Sequence, residues 1–186
     1  MLEVPTIESD RVVLRKVEPT DAADIYAYAK VPEVSKFLPW TPHQSIEDSK
    51  RFISGVLYST DIQPGSSRLT WVLVLKSSSH VVGTFDFQNW GEHKRVDVGY
   101  ALGRPYWNQG IMTEVLTRMI KCGFEEMDLN RIQSTCDDLN IGSWRVMEKS
   151  GMKQEALMKL HMVVKGRVRD TRLYAILKHE WLAESS

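Results

Sequence analysis

The hydrophobic residues change their period in the middle of the chain, and that change dictates most of what the chain can fold into. Leu69 to Leu75 and Val81 to Phe87 read as strands around the polar turn Ser77-Ser78-Ser79, and a third strand runs from Val96 to Leu102. After Gly103-Arg104-Pro105 the pattern turns helical: Ile111, Met112, Val115, Leu116, Met119, Ile120, Phe124 and Met127 follow a 3.6-residue repeat. Arg131 to Cys136 reads as a strand, and Asn140 to Lys149 as a short helix stopped by Gly151 at C′. Leu157 to Val164 and Arg169 to Leu177 form the arms of a hairpin around Lys165-Gly166.

Upstream, Val12 to Val17 is a first strand, and Thr20 is placed to N-cap a helix running to Lys30. Pro39, Trp40, Pro42 and Ser45 make an irregular bridge. Ser45 with Asp48 then caps a second helix through Phe52, Ile53, Val56 and Leu57. Gln63 to Ser67 is a turn. The order β-α-α-β-β-β-α-β-α-β-β predicts an α/β, or layered α+β, domain with a mixed sheet rather than a doubly wound parallel one.

Composition narrows the function. The chain has 186 residues and no linker or repeat, which predicts a single domain over 1–186. Lys plus Arg is 24 and Asp plus Glu is 24, so there is no basic surplus for direct nucleic-acid binding. No stretch approaches the ~18 apolar residues of a membrane span, and the charged start does not resemble a signal peptide; together these predict a cytoplasmic protein with no membrane partner. Cys122 and Cys136 are the only cysteines, and with no CxxC, HExxH or Cys/His cluster no metal is expected.

The stretch from Val98 to Glu114 carries the chemistry: a strand feeds a turn, and the turn feeds a helix that starts on Asn108-Gln109-Gly110. The first N–H groups of a helix lack internal partners and suit a phosphate or pyrophosphate, and a glycine there lets the anion approach the backbone. The same glycine could equally serve only to loosen a helix start. Neither the Walker spacing GxxxxGK[ST] nor the dinucleotide fingerprint GxGxxG is present.

Asp97 to Glu114 resembles the acetyl-CoA-binding motif of the GNAT acetyltransferase superfamily, Q/R-x-x-G-x-G/A. Trp107 stands where that pattern has Gln or Arg, and Met112 stands at its final small position. The Pro-Tyr-Trp-x-x-Gly-x-x-Thr-Glu form is similar to the branch that contains the ribosomal-protein N-terminal acetyltransferases. The likeness continues in Thr6-x-x-x-Asp10-Arg11-Val12-Val13-Leu14-Arg15, Asn140-Ile141-Gly142-Ser143, Lys149-Ser150-Gly151-Met152 and Lys165-Gly166-x-x-x-Asp170-x-x-x-Tyr174.

The resemblance implies a mostly antiparallel sheet of about seven strands, with helices on both faces and a V-shaped splay between two parallel strands. It implies acetyl-CoA as co-substrate and transfer of the acetyl group to a primary amine. The expected acceptor is a protein N-terminal α-amine; a small amine such as a polyamine, amino acid or antibiotic, or a non-catalytic acyl-CoA-binding role, are the alternatives. The expected state is monomer or homodimer. Backbone groups of Tyr100, Ala101 and Leu102 would pair with pantetheine amides, and amides of Gln109, Gly110, Ile111, Met112 and Thr113 would hold the pyrophosphate. Asn140 would reach the pantetheine arm or serve only as an N-cap. Asp97 would be the general base, or else an ion-pair partner of Arg95 or Arg131. Ser143 would hydrogen-bond the departing thiolate or bond back within its helix. Many relatives carry a tyrosine acid where Met147 stands, so that role does not transfer. Trp40, Phe85 and Phe87 would wall the acceptor pocket, with core packing the other reading of both phenylalanines. Asp86 and Asp170 could attract a cationic amine or pair with surface Lys or Arg.

Overall fold

The computed structural model describes residues 4–61 and 68–184, so the turn expected at Gln63 to Ser67 lies outside the described residues. Eight strands form one sheet in the order β1-β2-β3-β4-β5-β6-β8-β7. They are β1 (Ile7–Glu8), β2 (Val12–Lys16), β3 (Arg68–Leu75), β4 (Val81–Gly91), β5 (Arg95–Leu102), β6 (Arg131–Asp137), β7 (Lys153–Val164) and β8 (Arg167–Leu177). The helices are α1 (Ala22–Ala29), α2 (Pro32–Ser35), α3 (Ile46–Asp61), α4 (Ile111–Glu125), α5 (Ile141–Lys149) and α6 (Lys178–Glu184). The mixed α/β architecture is the expected one, with one strand more than expected. The extra strand, β1, spans two residues, too few to show a period.

Chain packing divides the molecule into two compact units. The first holds residues 1–89 and 99–111. Here β1 to β4 pair antiparallel in sequence order, which hairpin connections permit. Every residue from Val81 to Phe87 is buried, so β4 shows no solvent face. Trp71, Phe85 and Phe87 meet edge-on, with ring centroids 5.4 to 6.4 Å apart. A second cluster joins Val17, Ile25, Tyr28, Ile53, Val56, Val72 and Val81, with Trp40 and Trp107 packed against it.

Helix entry in this unit differs from expectation. Pro19–Asp21 forms a single 3₁₀ turn, and Asp21 accepts from the Glu18 N–H at 2.8 Å, so the acidic side chain rather than Thr20 closes the start. Arg15 then holds Asp21 through two bonds of 2.9 and 2.7 Å. At α3 the expectation holds: Asp48 accepts from the N–H groups of Gln44 and Ser45 at 2.7 and 3.0 Å.

The second unit holds residues 90–98 and 112–186. β6 pairs antiparallel with β8 over its whole length, and β8 with β7. Lys165 and Gly166 both take left-handed conformations, at φ 50° and 73°, the form that suits a two-residue hairpin turn. Val115, Leu116, Met119, Ile120 and Phe124 of α4 are buried, as their spacing requires. β5 and β6 pair parallel only at Arg95↔Arg131, Val96↔Ile132 and Asp97↔Gln133, after which β6 continues to Asp137 against β8. Among the described residues no helix is long and apolar enough to cross a membrane.

Candidate active site

In the first unit the turn before α4 bends through left-handed residues, Asn108 at φ 59° and Gly110 at φ 76°. A side chain is strained in that region, so glycine fits at 110 for a backbone reason independent of any ligand. The Gln109 carbonyl accepts from Arg11 Nη1 at 2.9 Å, and the Gln109 side chain donates to the Pro105 carbonyl at 2.7 Å. Trp107, the departure from the family pattern, donates its indole N–H to the Leu102 carbonyl at 2.7 Å, and Arg104 lies over its ring at 4.9 Å. That indole links the end of β5 to the turn. It bonds the carbonyl of Leu102, one of the three residues expected to pair with the pantetheine. Ile111 is buried, and the second unit's Met112 is buried as well, so both side chains serve the core while their amides start the helix. Thr113, in the same turn, is half-buried.

Trp40 is half-buried, with its ring 5.7 Å from that of His43. Phe85 and Phe87 are 0% exposed, so the acceptor-wall assignment gives way to core packing for both. Asp86 is buried and pairs with the exposed Arg68 through bonds of 3.0 and 2.8 Å, as one of its two expected readings had it, and Thr70 donates to it at 2.5 Å. Desolvation alone would pull down the Arg68 pKa, yet it lies above its ordinary value because Asp86 more than offsets burial.

In the second unit Asp97 is half-buried at the last rung of the β5–β6 ladder. The Arg131 beside it commits both terminal nitrogens to Glu155, at 2.8 and 2.5 Å, and its Nε to Gln133 at 2.8 Å. The Arg131 pKa is raised mainly by the Glu155 hydrogen bonds, and the Asp97 charge adds to the same direction. Asp97 therefore feels a neighbouring cation whose fork is directed at a different carboxylate. Ser134 donates to the Val98 carbonyl at 2.9 Å, one residue further along β5.

Asn140 is the N-cap of α5 and accepts from the Ser143 N–H at 3.4 Å. The Ser143 hydroxyl is in hydrogen-bonding contact with the Cys136 thiol. Burial pushes that thiol up to about 11, and burial does the same to Cys122. Neither sulfur is a ready nucleophile at neutral pH. Met147 is fully buried. Asp170 accepts from Lys159 and from the Leu160 N–H, both at 2.9 Å, which lowers its pKa. Among the described residues no group of three or more His, Cys, Asp or Glu could hold a metal ion.

Sequence reading missed Arg11 as a partner of the Gly110 turn, because the two are far apart in the chain. The Asp10-Arg11 motif was the one available signal.

The class that this sheet defines is the mixed α/β fold shared by acetyltransferases. The family model "Acetyltransferase (GNAT) domain" matches residues 11–153. The chain belongs to the GNAT acetyltransferase family and is an N-acetyltransferase that uses acetyl-CoA. It is 28% identical to the uncharacterized N-acetyltransferase p20 of Bacillus licheniformis, over 95% of this chain and 98% of that one. It is 26% identical to the [ribosomal protein uS5]-alanine N-acetyltransferase of Escherichia coli, over 94% and 92% of the two chains. The crystal structure of a GNAT-family acetyltransferase from Bacillus anthracis superimposes with a TM-score of 0.82 at 28% identity, covering 94% of this chain and 99% of that one.

Proposed function

We propose that the chain acetylates the α-amine of a protein N-terminus in the cytoplasm, by direct attack of the amine on the bound thioester. The likeness to the uS5-alanine acetyltransferase over nearly the whole of both chains supports the acceptor class. Chemistry favours it too: an α-amine, with a pKa of roughly 8, is easier to deprotonate than a lysine at roughly 10.4.

The observation that carries the mechanism is the end of the parallel ladder at Asp97↔Gln133. Beyond it the backbone of Tyr100 and Ala101 pairs with the pantetheine as an added strand. The amides from Gln109 to Thr113 take the pyrophosphate, and Asn140 adds its amide group to the pantetheine arm while its oxygen caps α5. Asp97 takes the proton from the attacking amine. The amine, now neutral, bonds to the acetyl carbon, the C–S bond breaks, and the thiolate leaves and takes up the second proton that the nitrogen sheds as it becomes an amide. Ser143 already presents its hydroxyl to one sulfur, that of Cys136, and turns it toward the leaving thiolate. Trp40 lines the acceptor side, and the protein works as a monomer or homodimer.

The test follows thiol release from acetyl-CoA with a panel of peptides carrying free N-termini, beside polyamines, free amino acids and an aminoglycoside. Turnover on peptides is expected. Turnover confined to small amines would overturn the acceptor, and coenzyme A binding without turnover on any amine would overturn the mechanism. Ser143→Ala should lower kcat about tenfold or more while leaving acetyl-CoA affinity nearly unchanged, as expected when an interaction forms only in the transition state. Equal losses in kcat and affinity would assign Ser143 to the scaffold of α5.

A further inference from the structure

We infer that Arg11 is a positioning residue for the coenzyme: it holds the Gln109–Gly110 peptide in the orientation that aims the Gly110 N–H at the pyrophosphate. The inference rests on the proposed role of that turn and explains the upstream Asp10-Arg11 motif, which the mechanism leaves unused. A trans peptide is planar, and its C=O and N–H point to opposite sides. The Arg11 guanidinium holds the Gln109 carbonyl at 2.9 Å, so the N–H of the same peptide is turned the other way. Without that anchor the Gln109–Gly110 peptide has a glycine hinge on one side, at φ 76°, and can flip.

The anchor itself is fixed. Arg11 sits in the tight turn between β1 and β2, where the Ser9 N–H donates to the Val12 carbonyl at 2.9 Å. The Arg11 carbonyl accepts from the Lys76 N–H, also at 2.9 Å. These two bonds attach the base of Arg11 to the β1–β2–β3 part of the sheet. A guanidinium-to-carbonyl bond is charge-assisted and stronger than a neutral one. A Cβ at Gly110 would lie 3.6 Å from Arg11 Nη2, so the guanidinium stands directly beside the glycine it would orient.

The test uses the whole protein and two donors, acetyl-CoA and S-acetylpantetheine, which lacks the pyrophosphate. Arg11→Ala should weaken coenzyme A binding about tenfold by calorimetry, the scale of one charge-assisted hydrogen bond. It should leave kcat/KM for S-acetylpantetheine unchanged. The wild-type to variant ratio should be constant across a salt titration, because the contact is to a carbonyl rather than to a phosphate. Amide hydrogen exchange at 108–111 should be faster in the ligand-free variant, a readout independent of any coenzyme. Unchanged coenzyme affinity would overturn the inference, as would equal losses on both donors. A salt-sensitive loss restored by Arg11→Lys would make Arg11 a direct phosphate contact and overturn positioning. If wild-type protein binds no coenzyme A while exchange at 108–111 still responds to the substitution, the reading of the turn as a pyrophosphate site fails and the structural tether stands.

Discussion

Asp97→Asn should lower kcat by about 10²- to 10⁴-fold near pH 6.5 and by progressively less as the pH rises past 8, with acetyl-CoA affinity unchanged. The magnitude is that of removing a positioned general base. The pH dependence follows from the acceptor. Below its pKa of roughly 8 an α-amine is mostly protonated, and something must take the proton before nitrogen can attack. Above that pKa the free amine is the majority species and the base is needed less, so the wild-type and variant profiles converge on the alkaline side. Asparagine keeps the size of the side chain, and the pairing of Asp97 with Gln133 is through the main chain, so β5 and β6 are undisturbed. The guanidinium of Arg131 remains on Glu155. The measurement is kcat and kcat/KM for one peptide acceptor from pH 6 to pH 9. A variant with wild-type rates at the acidic end removes Asp97 from the reaction and leaves water as the base.

How far the sequence discloses this molecule depends on how locally each feature is encoded. β5 and α4 were legible because alternation and the 3.6-residue repeat follow directly from burial of one face, and β3 because a short run rich in Leu and Val marks a strand buried on both faces. The turn at Lys165-Gly166 and the end of α5 before Gly151 were legible because left-handed positions demand particular residues. β7 begins at Lys153, earlier than its sequence suggests, because nearly all its residues face solvent and no hydrophobic period marks it. α2 and α6 span four and seven residues and carry too few apolar positions to register. At the site, the glycine turn and Asp97 were visible as residues in a motif. The Arg11 tether was not, since its partner is 98 positions away and no local rule links them. Phe85 and Phe87 show the limit most clearly. Alternation puts them on one face of β4, and it cannot say whether that face meets an acceptor or the core, because here both faces of the strand are buried.

Phe85→Ala should therefore cost about 3–5 kcal/mol of stability, the range for truncating a fully buried aromatic, and should have no specific effect on acceptor binding. The side chain is 0% exposed, with its ring 5.4 Å from that of Phe87 and 6.4 Å from that of Trp71. Each edge-on pair contributes about 0.5–1.5 kcal/mol beyond area burial, and both pairs are lost together. Central strands on both sides of the site of truncation leave little room for the neighbours to collapse inward, which places the cost toward the upper end. A domain with a net stability of about 5–15 kcal/mol would keep a folded majority at low temperature and lose it on mild warming. Urea denaturation gives the stability change from the shift in midpoint at constant slope. Steady-state kinetics on the folded fraction gives the acceptor KM, which should match wild type. A midpoint that barely moves, together with a raised KM for the peptide, would return Phe85 to the acceptor wall.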